Sequence, residues 1–267
     1  MKDCTDILIF GGQSNMVGET EGLPNENDAV KNAYEYRYLT NELVELKHPT
    51  GEDLFYGQLE KSVKSGGSLI PAFCKKYCIE TGKTVVAIQA ACGSTTVSEW
   101  LHGTRRHYWA NKKIQAGIIK TQETFNVERI YYVWLQGESD ALIQTSKYEY
   151  KNKLIQYKNE IKQEISIDKF GIIKVGYFAS VASWIEGNEK EKTKWDEEIM
   201  NAQENVVKND DDFIMLTRIC PKLSRDSSNI NPSVGGHYNN AALNKIGKVA
   251  ATTLANFDLT IYKERKR

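Results

Sequence analysis

Five apolar runs of strand length recur along the chain: TDILIFG at 5–11, TVVAIQAA at 84–91, RIYYVWLQ at 129–136, GIIKVGYFA at 171–179 and FIMLT at 213–217. Each is rich in β-branched or aromatic residues and nearly unbroken by polar ones, which predicts strands buried on both faces. Segments with helical spacing lie between and after them, at 68–81, 108–126, 146–166, 194–208 and 239–256. In the last, Ala242, Leu243, Ile246, Val249, Ala250 and Leu254 recur every three or four residues and draw one apolar stripe. Alternation of such strands and helices predicts an α/β fold, a doubly wound, flavodoxin-like, five-stranded parallel sheet with helices on both faces. Residues 1–267 are expected to form one domain.

The remaining sequence is read as loop. Residues 20–66 show no strong period and are long for a connection, which points to a functional segment; a second irregular stretch, 218–236, carries RDSSNINPSVGG. Charge is balanced, 35 basic against 35 acidic residues, so no overall field selects nucleic acid or an anionic membrane. No apolar run approaches the ~18 residues of a membrane span, and no leader precedes the first strand, so a cytoplasmic location is expected. The five cysteines have no paired metal spacing and are expected to be reduced. Lys190–Lys194 reads as a solvated helix start.

Three polar, glycine-bearing loops follow the first three strands: GGQSNMVG around Ser14, ACGSTTVSEW at 91–100 and QGESD at 136–140. In open α/β sheets such loops converge at the carboxyl ends of the strands, where ligands bind. Ser14 is a candidate nucleophile, and a serine hydroxyl needs a base. Of the four histidines, His48, His102 and His107 are expected at the surface. His237 instead sits between a glycine pair and the last helix, where Asn239 or Asn240 can cap, and is the candidate base. The segment lacks the lysine of a phosphate-binding loop and the second glycine of a G-x-S-x-G elbow. No histidine pair has helical metal-site spacing, so neither metal nor cofactor is expected.

GQSNM, CGSTTVSEW, WLQGESDA and GGHYNNAALNKIG, in this order, resemble the SGNH hydrolase superfamily and within it the sialate O-acetylesterase-like branch that includes acetylxylan esterases of carbohydrate esterase family 6. The resemblance runs from Ser14 to Gly247. It implies a metal-independent serine esterase that removes O-acetyl groups from an acetylated sugar or oligosaccharide. Ser14 would be the nucleophile and His237 the base, with an oxyanion hole from Ser14, Gly93 and Gln136, and Asn15, Trp100 and Tyr238 would contact substrate. Relatives usually carry an aspartate three residues before the histidine, where this chain has Val234. Glu138 is the first substitute as the acid that orients His237, Asp226 the second, and a dyad held by a backbone carbonyl the third. With Glu138 in that role, Glu138→Gln would slow hydrolysis at least about ten-fold and Asp226→Asn little. Tyr56, Trp100, Tyr108, Trp109 and Trp184 are candidates for stacking on sugar rings. Two alternatives are a non-catalytic carbohydrate-binding protein, with Val234 marking lost catalysis, and an esterase for thioesters or longer acyl groups.

Overall fold

A computed structural model describes residues 2–25, 27–53, 60–61 and 66–265 of the chain. The elements in order are β1 (Cys4–Gly12), α1 (Ser14–Val17), β2 (Ala33–Arg37), β3 (Glu42–Glu45), β4 (Glu52–Asp53), β5 (Glu60–Lys61), α2 (Ile70–Thr81), β6 (Thr84–Gln89), α3 (Arg105–Thr124) and β7 (Asn126–Leu135). They continue with α4 (Glu138–Leu142), α5 (Lys147–Glu164), β8 (Lys169–Ile173), α6 (Glu189–Asn209), β9 (Phe213–Thr217), α7 (Cys220–Ser224) and α8 (Asn240–Arg265). Short 3₁₀ turns lie at Val97–Trp100 and Ser227–Asn229.

The main sheet is ordered β3-β2-β6-β1-β7-β8-β9. Its five central-to-edge strands β6, β1, β7, β8 and β9 are those the apolar runs predict, all mutually parallel, in the flavodoxin-like order. The chain reverses its direction of winding beside β1, and the crevice between β1 and β7 is the switch point where ligands of such sheets bind. One contiguous core lines both faces, with Ile7, Leu8, Ile9 and Phe10 fully buried. The helices cover it as the alternation predicts.

Among the described residues seven strands, not five, make this sheet. β2 joins β6 in parallel and turns back antiparallel into β3, inside the stretch read as loop. The pattern hid β2 because one of its inward positions is a carboxylate: Glu35 is fully buried, paired with Arg37 at 2.7 Å and accepting the Gly51 N–H. Nearby, buried Lys113 of α3 meets Glu52 at 2.9 Å. These ion pairs replace the apolar contacts that mark the other strands.

β8 is shorter than its apolar run. Beyond Ile173 the chain leaves the sheet, and side chains of α6 take over its backbone donors: Val175 N–H goes to Gln203 Oε1, and Phe178 and Ala179 N–H to Asp196 Oδ1. Of the histidines expected at the surface, only His102 is exposed. His48 and His107 are buried, His48 accepting the Ser68 N–H and pushed down to about 4 by desolvation. Cys4 is exposed and the other four cysteines are buried, all as free thiols. No helix among the described residues is long and apolar enough to cross a membrane.

Candidate active site

Ser14 opens α1 directly after β1, and the approach is fixed by backbone contacts. Gly12 takes φ 138°, and a Cβ there would overlap the Leu135 carbonyl, so glycine alone lets β1 pass this close to β7. Gln13 N–H donates to Leu135 O and Cys92 N–H to Gly12 O, tying the ends of three strands together. Gly93 follows at once. A Cβ built on it would lie 3.8 Å from Ser14 Cβ, so Gly93 stands beside the serine.

His237 arrives from the far end of the chain, and its Nε2 lies 2.8 Å from Ser14 Oγ. Both residues are buried. The loop before α8 folds back on itself to present the imidazole: Asn231 N–H donates to His237 O, Asn231 Oδ1 accepts Ser233 N–H, and Ile230 bridges to Tyr238. The Phe178 ring meets the imidazole edge-on, centroids 5.2 Å apart. Gly236, at φ 84°, gives Phe178 room that a Cβ would occupy.

Two features were not legible as site residues. Asp196 of α6 accepts N–H bonds from Phe178, Ala179 and Ser180 and the Ser180 hydroxyl, so one buried carboxylate seats the segment that packs on His237. Burial raises its carboxyl above the ordinary value, against those four bonds. Glu19 places Oε2 3.6 Å from His237 Nε2, with its other oxygen 3.3 Å from where a Cβ on Gly93 would sit. Glu19 sits in an aperiodic polar run and Asp196 amid the charged residues of α6, so neither carries a signal of its own.

Several expected roles meet a different geometry. The Glu138 hydrogen bond goes to Asn15 Nδ2 at 2.9 Å, not to the imidazole, and Asn15 Oδ1 accepts the Tyr238 N–H. Glu138 thus reaches the residue after His237 through Asn15. Burial pushes Glu138 up to about 6. Asp226, fully exposed, caps the turn at Ser228, whose hydrogen bonds hold it below the usual carboxylate range. Val234 supplies its carbonyl to His237 N–H and leaves its side chain partly exposed.

The Gln136 amide nitrogen donates to Asp140 Oδ2 and Thr95 O, and its oxygen accepts from Tyr150, so both amide hydrogens have partners inside the core. The three expected substrate contacts are also interior. Trp100 is fully buried against Trp134 and Tyr157, its indole donating to Thr95. Tyr238 is buried with its hydroxyl on Cys220 O, and Asn15 is spent between Glu138 and Tyr238. Among the proposed rim aromatics, Trp184 is 55% exposed and donates to Gly235 O beside His237. Tyr108 and Trp109 lie on α3, and Tyr56 falls outside the described residues.

Similarity to known proteins agrees with this architecture. A comparison with curated proteins finds no match. A protein from Arabidopsis thaliana superposes with a TM-score of 0.66 at 15% identity, covering 96% of this chain and all of its own. A carbohydrate acetylesterase from Xanthomonas citri gives 0.54 at 15% identity over 94% of this chain and 57% of its own, and a lipase/acylhydrolase from Enterococcus faecalis gives 0.55 at 12% over 94% and 96%. At these identities the likeness is one of fold. The sequence model of the carbohydrate esterases described as sialic acid-specific acetylesterases matches residues 4–256. With that match over nearly the whole chain, on a flavodoxin-like sheet, the chain belongs to the sialic acid-specific acetylesterase family of carbohydrate esterases.

Proposed function

We propose that this protein is a serine esterase that removes O-acetyl groups from a carbohydrate through an acetyl-enzyme. The observation that carries the reading is the 2.8 Å approach of Ser14 Oγ to His237 Nε2 at the carboxyl end of β1. That is the distance at which an imidazole takes a hydroxyl proton. Ser14 Oγ attacks the acetyl carbonyl carbon as His237 Nε2 accepts its proton. The oxyanion forms between the N–H groups of Ser14 and Gly93, the first of which belongs to the opening turn of α1 and has no partner within that helix. Collapse breaks the bond to the sugar oxygen, which takes the proton from His237. Water, deprotonated by the same nitrogen, then releases acetate and restores Ser14.

Glu138, Asn15 and the Tyr238 backbone form the chain that steadies His237, in place of a direct triad acid. Trp184, exposed beside Gly235, offers the ring on which a sugar face can stack. The acetyl group suits a nucleophile buried this deeply under loops.

Hydrolysis of p-nitrophenyl acetate by the parent and by Ser14→Ala, with intact-mass detection of acetylated enzyme, tests the reading. The variant is expected to lose at least about a thousand-fold in kcat with an unchanged fold, and only the parent to carry the acetyl adduct. Turnover that survives in Ser14→Ala would remove the serine mechanism. A folded parent with neither turnover nor adduct would leave a carbohydrate-binding protein on an esterase fold.

A further inference from the structure

On the flank between α3 and α5, His102, His107 and Glu164 bring their ligating atoms within 4.8 Å of one another. His102 Nδ1 lies 3.1 Å from Glu164 Oε1, and His107 Nε2 lies 3.0 and 3.1 Å from Oε1 and Oε2. We propose that these three side chains bind a divalent transition-metal ion of the Zn²⁺ type. The site is separate from Ser14 and His237 and does not depend on the esterase reading.

The hydrogen bonding of His107 makes the case. Its Nδ1 is 2.9 Å from the Trp100 carbonyl while its Nε2 faces the Glu164 carboxylate. Both neighbours are acceptors, and a neutral imidazole has one N–H to give. With that proton on Nδ1, the Nε2 lone pair points at a carboxylate, and only a cation or a second proton between them makes the contact favourable. His102 aims a second ring nitrogen at the same carboxylate oxygen. One metal ion satisfies all three groups together. The bond from Nδ1 to a backbone carbonyl is also the arrangement that orients a metal-bound histidine through Nε2.

The scaffold is rigid where such a site needs it. His107 lies in the first turn of α3, whose cap Thr104 accepts its N–H, and its buried ring packs edge-on against Tyr157. Glu164 ends α5, and Glu160, one turn earlier, accepts the His102 N–H. In a tetrahedral zinc site, ligand atoms stand about 3.3 Å apart, so the two histidine–Glu164 spacings need a slight opening, while the widest pair, within 4.8 Å, needs to close by up to about 1.5 Å. His102 is 71% exposed, and the cluster borders a groove of about 840 Å³ lined in part by Thr104, Tyr108, Asn111 and Gln115. That leaves an entry path and room for water as a further ligand. Two imidazoles and one carboxylate favour zinc and its neighbours over magnesium or calcium. The ion would clamp the segment 101–107, which continues the loop that carries Gly93, onto α5. Sequence spacing did not show the site because Glu164 stands 57 residues from His107.

Titration of the full-length, chelator-stripped protein with Zn²⁺, followed by calorimetry and metal analysis after dialysis, tests the proposal. The parent is expected to take up roughly one equivalent and to melt at a higher temperature with it. His102→Ala, at an exposed position, is expected to keep the parent circular dichroism and to bind at least about ten-fold more weakly. The nearly isosteric Glu164→Gln, scored the same way, keeps the result readable if one variant folds poorly. A parent that takes up no Zn²⁺ overturns the site and leaves a proton shared between imidazole and carboxylate. Equal uptake and affinity in parent and both variants also overturns it, by placing the ion elsewhere, as on exposed Cys4.

Discussion

Ser14 and His237 face each other across 2.8 Å, yet they are held by different forces. Ser14 is placed by backbone: the end of β1, the glycine that admits Leu135, and main-chain bonds to the loops after β6 and β7. His237 takes its backbone bonds within its own loop, to Val234 and Asn231, and is otherwise placed by side chains on other elements: Asn15 on the neighbouring Tyr238 N–H, Glu138 behind Asn15, and Phe178 seated by Asp196. Ser14 therefore inherits the rigidity of the sheet. His237 depends on buried carboxylates, whose bonds fail when a side chain is shortened and change with pH.

Removal of one such carboxylate is the most damaging way to break that contrast. Asp196→Ala strands three backbone N–H groups, each costing about 1–3 kcal/mol when unsatisfied and buried. A loss of at least about 3 kcal/mol in urea denaturation is expected, together with slower ester hydrolysis as Phe178 loosens from His237. Stability within about 0.5 kcal/mol of the parent would mean that the 178–180 segment is held by something else.

Glu138 sharpens the contrast through pH. Burial lifts its carboxyl from 4.5 to about 6. Between those values the unfolded chain has released its proton and the folded chain keeps it, so folding stability falls as pH rises through this window, by about 2 kcal/mol in all. Glu138→Gln cannot ionise and keeps an acceptor for Asn15. Its denaturation free energy is expected to fall less over pH 4.5–6 than the parent's and to exceed it above that range. The buried Asp140, also lifted to about 6, adds its own slope equally to both proteins. Since the bond to Asn15 survives, hydrolysis should slow by less than about ten-fold, the smallest loss expected of a direct triad contact. Parallel stability curves, or a larger loss of rate, would contradict this placement of Glu138.

The same contrast explains what could be read from the sequence. Ser14 was legible because an unbroken apolar run ends on Gly-Gln-Ser-Asn, and His237 because Gly-Gly-His precedes a clean helical stripe. Both signals are local. The supports of His237 are not: Asp196 lies in the polar run KTKWDEE, and only the packing of α6 shows that it points inward. Strand β2 was missed for a related reason, since buried Glu35 breaks the apolar pattern and its compensation by Arg37 and Gly51 appears only in three dimensions. Trp100 looked like a rim aromatic because it lies in a loop, while Trp134 and Tyr157 enclose it. Periodicity reports which face of an element is apolar, and it is silent where burial is compensated by charge.

Glu19 is the smallest and finest probe, because it touches the pair from the serine side. Its carboxylate, 3.6 Å from His237 Nε2, attracts the protonated imidazole. Glu19→Gln removes that attraction, so the acid limb of kcat/KM, which on the proposed mechanism reports the imidazole of the free enzyme, should move to lower pH. The second effect concerns the oxyanion. The other carboxylate oxygen lies near Gly93, where the proposed mechanism develops negative charge, and a neutral amide opposes that charge less, so the plateau rate should rise several-fold on that mechanism. Both shifts are read from one pH–rate profile of p-nitrophenyl acetate hydrolysis. An unmoved acid limb would mean that Glu19 does not act on the imidazole, and would leave the setting of the base to the Asn15 and Asp196 side alone.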